Sequence, residues 1–304
     1  MDQILQTARP ASNGSDDTLR IPTRIPKRII HIYCPPPGAT GELPLVCRAA
    51  LANARLLNPD FDHVLFGTDE MEKFIDHEFP QYRKVIDSFP YRIQRFDFFR
   101  YLAVYRLGGF YFDLDVFLAR RLEPLLGESC VFSFEELTLS GYLRRNCGMD
   151  WELANYGFGA APGHPFIGAV IANCVRAIDE PRWAEEMMQG IPKCFRAPFI
   201  VPVSTGPGMV TRTFVESPNI SPSVTVLFPS NVCDERSWQQ FGDFGVHLMQ
   251  GSWRKRDSFF VSRLRRLWET RARKKLMQAS VVKGPRRSGP WREILPQNCT
   301  TNSP

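Results

Sequence analysis

The chain has 304 residues, 43% of them apolar and 23% charged, with a formal net charge of +6. Such a composition predicts a substantial buried core, and 23 Phe against 8 Tyr favours core packing over an aromatic surface for nucleic acid. No apolar run reaches the ~20 residues that span a bilayer, and the polar N-terminal stretch lacks the apolar segment of a secretory signal.

Charge is unevenly placed. Residues 254–304 carry 14 Lys and Arg against 3 Asp and Glu, so the rest of the chain is net acidic. Eight cysteines are scattered without Cys-x-x-Cys spacing, which argues against a zinc site and for mostly reduced thiols. From these features we expect a cytoplasmic protein or one peripheral to a membrane.

Residues 1–24 read as a flexible leader. The first strand is expected at 27–33, ended by Pro35-Pro36-Pro37-Gly38. Residues 45–57 have helical spacing and stop at Asn58-Pro59. A strand at 61–66 and a helix at 68–78 follow. The next helix spans about 93–107 and ends at Gly108-Gly109. An apolar strand then runs through Asp113-Leu114-Asp115. Residues 128–160 read as short strand and loop, 166–178 as a helix and 183–189 as a short helix. A loop at 205–208 leads into a helix at 209–215. A late strand occupies 224–228, and 247–253 closes the folded part. Alternating strands and helices predict an α/β sheet.

Asp113 and Asp115 carry the strongest chemical signal. In an extended segment, acids two residues apart share a face. The surrounding apolar run, from Phe110 to Leu118, would bury them, and a buried charge needs compensation. A divalent cation brought with a phosphate ligand supplies it, since hard cations prefer oxygen ligands. Asp-x-Asp alone is a weak motif, equally read as two acids at a solvent-facing strand end. In the preceding helix, Asp97, Arg100 and Tyr101 share one face. That helix is otherwise apolar nearly all round, so its polar stripe must meet polar protein groups or a polar ligand. Sugar hydroxyls suit a carboxylate beside a guanidinium.

The run Arg95-Phe96-Asp97-Phe98-Phe99-Arg100-Tyr101, followed by Tyr105, Gly108-Gly109, Tyr111, Asp113 and Asp115, resembles the core of the DXD sugar-transferases of glycosyltransferase family 32. Ile25-Pro26-Lys27-Arg28-Ile29-Ile30-His31, Asn58-Pro59 with Phe61 and Phe66, and Asn155 with Pro162-Gly163-His164-Pro165-Phe166 resemble further family segments. So do Thr205-Gly206-Pro207, and His247 followed by Ser252-Trp253. The resemblance covers about residues 25–253. Two positions depart from it: Phe96 stands where the family usually has Ser, and Tyr33 where many relatives have Trp.

The resemblance implies a GT-A fold, a Rossmann-like nucleotide-sugar-binding half merged with an acceptor subdomain, over 25–253. It also implies a retaining, metal-dependent hexosyltransferase. Asp113, Asp115 and His247 would hold Mn²⁺ (or Mg²⁺), with Asp115 the direct ligand. Asp97 and Arg100 would bind the donor sugar, with Tyr101 and Tyr111 beside them. Asn155 would face sugar or acceptor. Ser252 and Trp253 would contact the diphosphate, and the end of the first strand, at His31 and Tyr33, the base. The donor would be GDP-mannose, UDP-glucose or UDP-galactose, and the acceptor a hydroxyl of a small molecule. The alternatives are mannosyl transfer to a lipid or glycan at a membrane surface, or an inactive transferase-like adaptor.

Residues 254–304 form the last expected unit, a basic amphipathic helix followed by a disordered tail. The helix, at 258–279, is open to two readings. Its apolar stripe packs on the domain, or it contacts an anionic membrane. No nucleic-acid partner is expected, because no recognition fold accompanies the charge.

Overall fold

The computed structural model describes residues 24–35, 38, 41–249 and 259–279. Along the chain these form β1 (Arg28–Ile32), α1 (Leu45–Leu57), β2 (Asp62–Phe66), α2 (Thr68–Glu78), α3 (Arg83–Ser88), α4 (Arg92–Leu107), β3 (Gly109–Phe112), β4 (Val116–Leu118) and β5 (Cys130–Leu137). After these come α5 (Gly141–Asn146), β6 (Trp151–Ala160), α6 (Pro165–Asp179), α7 (Pro181–Glu185), α8 (Ile200–Ser204), α9 (Pro207–Glu216), β7 (Val224–Leu227), β8 (Gly245–His247) and α10 (Phe259–Gln278).

The expected α/β class is borne out. A central sheet has the order β2-β1-β3-β6-β5-β7. Strand β1 is parallel to β2 and β3, β7 is parallel to β5, and β6 is antiparallel to both its neighbours. The parallel set β2-β1-β3 with its crossover helices is the Rossmann-like half. One sheet face is covered by α2, α4, α6 and α9 through Phe74, Phe99, Phe166 and Phe214. The other meets α1 through Ala54, with Ile29, Phe110, Phe112 and Phe241 in the same cluster. Strands β4 and β8 form a separate antiparallel ribbon on that second side.

Two sequence expectations are corrected. Residues 128–160 hold the longest strands of the sheet, β5 with 8 residues and β6 with 10, joined by α5. Strand β6 is almost wholly buried, which removes the polar–apolar alternation that betrays a half-exposed strand. Its Gly157 and Gly159 look like turn residues, yet a Cβ there would meet the rings of Phe112 at 2.8 Å and Phe110 at 2.5 Å. They are close-approach glycines.

The second correction concerns Asp113-Leu114-Asp115. The strand ends at Phe112, and the two acids lie in a tight turn closed by Val116 N–H donating to Asp113 O at 3.1 Å. There the chain leaves the central sheet for the β4–β8 ribbon. Gly109 starts β3 with φ +107°, and a Cβ would stand 2.7 Å from Arg28 O. Glycine therefore lets β3 lie against β1.

The terminal helix packs on the domain. Trp268 lies 5.9 Å from Phe195, Arg273 pairs with Glu136 and sits over the Trp238 ring, and Leu276 and Met277 join the main core. No described helix is long and apolar enough to cross a membrane. Among the described cysteines, Cys34, Cys47, Cys130, Cys147, Cys174 and Cys194 are free, with Cys130 and Cys174 buried.

Candidate active site

The site lies beyond the carboxyl ends of β1 and β3, where ligands bind in open α/β sheets. Asp113 N–H donates to Tyr156 O at 2.8 Å, which ties the turn to β6. Val116 of β4 pairs with His247 of β8, and Leu248 N–H donates to Asp115 O at 2.9 Å. This ribbon carries His247 back to the turn.

Ligand atoms of Asp113, Asp115 and His247 all lie within 4.8 Å of one another. One divalent ion with bonds of roughly 2.1–2.5 Å can reach all three. His247 Nε2 is 3.2 Å from Asp115 Oδ1, and its Nδ1 is 3.2 Å from Gln239 Oε1. An Nδ1–H donated to Gln239 leaves the Nε2 lone pair facing the acids, as a metal-binding imidazole requires. The His247 ring also stacks on Tyr156 at 4.3 Å. Burial opposes protonation of His247, but the bond to Asp115 and the charges of Asp113, Asp115 and Glu135 raise its pKa overall. Two carboxylates and an imidazole are a donor set that can hold a divalent cation.

Behind this cluster lies a buried polar network. Arg100 Nη2 is 2.9 Å from Asp97 Oδ1, and its Nη1 is 3.3 Å from Asp113 Oδ1. Nη1 also donates to Asn155 O at 2.7 Å, and the guanidinium lies 4.7 Å from the centre of the Tyr111 ring. Asn155 Nδ2 donates to Asp97 Oδ1 at 3.2 Å, and Thr205 Oγ1 donates to Asp97 Oδ2 at 3.0 Å. Tyr111 OH donates to Asp113. Burial pushes the Asp97 carboxyl up to about 6, against the pull of Arg100 and the Thr205 and Asn155 bonds. Asp97 and Arg100 form a buried pair 2.9 Å apart.

The structure thus brings together Asp97, Arg100, Tyr111, Asp113, Asp115, Asn155 and His247. Asp97 and Arg100 are only 4% and 3% exposed, so most of their hydrogen-bonding capacity is spent inside the protein. Tyr101 is fully buried, with its hydroxyl donating to Thr205 O at 2.8 Å. His31 is also buried. Its Nδ1 donates to Phe112 O at 2.8 Å, and burial holds its pKa down at about 4. Tyr33 OH donates to Glu42 O at 2.7 Å, in the segment after β1. Ser252 and Trp253 lie outside the described residues.

Sequence reasoning missed Tyr156, Gln239 and the role of Thr205. Tyr156 follows Asn155 in β6, so the two side chains leave opposite faces of the strand, Asn155 toward Asp97 and Tyr156 toward His247. Nothing local marks Gln239.

Residues 44–132 match the family described as the glycosyltransferase sugar-binding region containing the DXD motif. The chain is 34% identical over 137 residues to inositol phosphoceramide mannosyltransferase 3 of Schizosaccharomyces pombe, covering 45% of this chain and 35% of that protein. It is 32% identical over 151 residues to a mannosyl phosphorylinositol ceramide synthase of Saccharomyces cerevisiae, covering 49% of this chain and 35% of that one. The chain thus spans about a third of the length of these relatives. Among solved structures it is similar to the PaToxG glycosyltransferase, with a TM-score of 0.45 and 16% identity over 65% of this chain and 72% of that one.

The α/β fold places the DXD turn inside the region that matches this sugar-binding family, beyond the ends of the parallel strands. The matched region holds the DXD turn and α4, the segments on which the sequence resemblance rests.

Proposed function

We propose that residues 25–253 form a metal-dependent, retaining mannosyltransferase unit. In this reading it moves mannose from a nucleotide sugar such as GDP-mannose to a hydroxyl of an inositol-phosphate sphingolipid at a membrane surface. The observation that carries the reading is the convergence of Asp113, Asp115 and His247 beside the Asp97–Arg100 pair. The two fungal relatives, an inositol phosphoceramide mannosyltransferase and a mannosyl phosphorylinositol ceramide synthase by name, support the sugar and the acceptor class. None of them speaks for the small-molecule acceptor expected from the sequence.

The chemistry follows from charge. As the bond from the sugar to the diphosphate breaks, negative charge builds on the leaving phosphate. A divalent cation held by Asp113, Asp115 and His247 would stabilise that charge as a Lewis acid. Arg100 holds Asp113 in place and balances Asp97, and Asn155 bridges both sides of the network. Among the described residues we nominate no protein nucleophile; attack by the acceptor hydroxyl from the leaving-group face retains configuration without one.

The test is donor turnover by the purified chain. Nucleotide sugars are screened with Mn²⁺ by thermal shift, since a ligand of the folded state raises stability. Hydrolysis and transfer to inositol phosphoceramide are then assayed. GDP-mannose should give the largest shift and a mannosylated lipid product. Failure to bind or turn over any nucleotide sugar would favour the inactive adaptor instead.

A further inference from the structure

The described basic helix divides its residues between two faces. One face is spent on the domain through Trp268, Arg273, Leu276 and Met277. The other recurs at helical spacing and stays exposed, with Arg263, Arg266, Lys274 and Lys275 among its cations. Leu264 and Leu267 lie on that outer face, 42% and 48% exposed. The helix has one acid, Glu269, which is half-buried and bonded to Arg265 at 3.5 Å. The outer face therefore carries only positive charge, around two leucines one turn apart.

We propose that this outer face of α10 is a docking surface for an anionic lipid bilayer. Charge complementarity selects the partner. Cations near an anionic surface each add attraction, and apolar side chains between them enter the headgroup boundary. A polyanion such as RNA would use the cations but gain little from two exposed leucines. The packing makes the surface fixed: Arg273 is bonded to Glu136 of β5. The inference does not require the proposed donor or acceptor, because vesicle binding is measured without either.

The experiment is co-sedimentation of the full chain with large vesicles of phosphatidylcholine, alone or with about 30 mol% phosphatidylserine. Binding to the anionic vesicles should be about tenfold stronger and should fall with added salt. The double variant Leu264→Ser/Leu267→Ser should lose about tenfold of that binding. Arg266→Glu/Lys274→Glu should lose at least as much, with both variants melting like the parent. Equal recovery on neutral and anionic vesicles would overturn the proposal. So would vesicle binding that ignores the leucine pair, or single-stranded RNA binding that outcompetes vesicles.

Discussion

Arg100 Nη1 lies 3.3 Å from Asp113 Oδ1, joining the buried helix α4 to the DXD turn. The same guanidinium holds Asp97 at 2.9 Å. One side chain thus sets the position of a candidate metal ligand and neutralises a buried carboxylate.

Replacing Arg100 with Met would leave Asp97 buried and unpaired. We expect a loss of about 3–5 kcal/mol in chemical denaturation, the usual result of removing one partner of a buried pair. Arg100→Lys keeps the charge but loses the fork. It should cost less stability while still lowering donor turnover, and that split separates the positioning of Asp113 from simple charge balance.

Asp115 is partly exposed, and its carboxylate faces His247. Asp115→Ala should abolish Mn²⁺-dependent turnover of the nucleotide sugar while the circular dichroism spectrum stays that of the parent. Undiminished turnover would remove the metal assignment.

Tyr156 is the support that the sequence did not reveal. Tyr156→Ala removes the ring stacked on His247, and Mn²⁺ affinity measured by calorimetry should fall roughly tenfold, the lower end for supporting residues around a metal. Tyr156→Phe keeps the ring and should bind the metal nearly as well as the parent.

Glu152 gives a pH signature away from the site. Burial, with the charge of Glu136 nearby, pushes its carboxyl up to about 7. Between about pH 4.5 and 7 the folded chain holds a proton there that the unfolded chain has released. Stability from this group is therefore full below about pH 4.5 and is lost as pH rises through 7. Glu152→Gln should flatten that slope and stabilise the protein at pH 8 by on the order of 1–3 kcal/mol, read from urea melts. Thr138, which donates to Glu152, can still donate to the amide oxygen.

The legible parts were those with a local pattern. The bounds of the amphipathic α1, of α2 and of α6 follow from spacing and turn residues and moved by a residue or so at most; α6 is capped by His164, while Gly67 before α2 gives no side-chain cap. Strands β5 and β6 were not legible, because burial on both faces erases alternation and Gly157 and Gly159 mimic a turn. Asp113 and Asp115 were found as a pair by assuming an extended strand, although they lie in a turn.

By itself the sequence determined the alternation of strands and helices, the acid pair after Gly108-Gly109, and the shared helical face of Asp97 and Arg100. These depend on period and on neighbours within one turn. The resemblance already grouped His247 with Asp115, while tertiary structure alone decided that Tyr156 stacks on His247 and that Thr205 closes the bonds around Asp97. Those contacts join segments far apart in the chain through strand pairing and core packing, and no local periodicity encodes which distant partner a buried polar group will find.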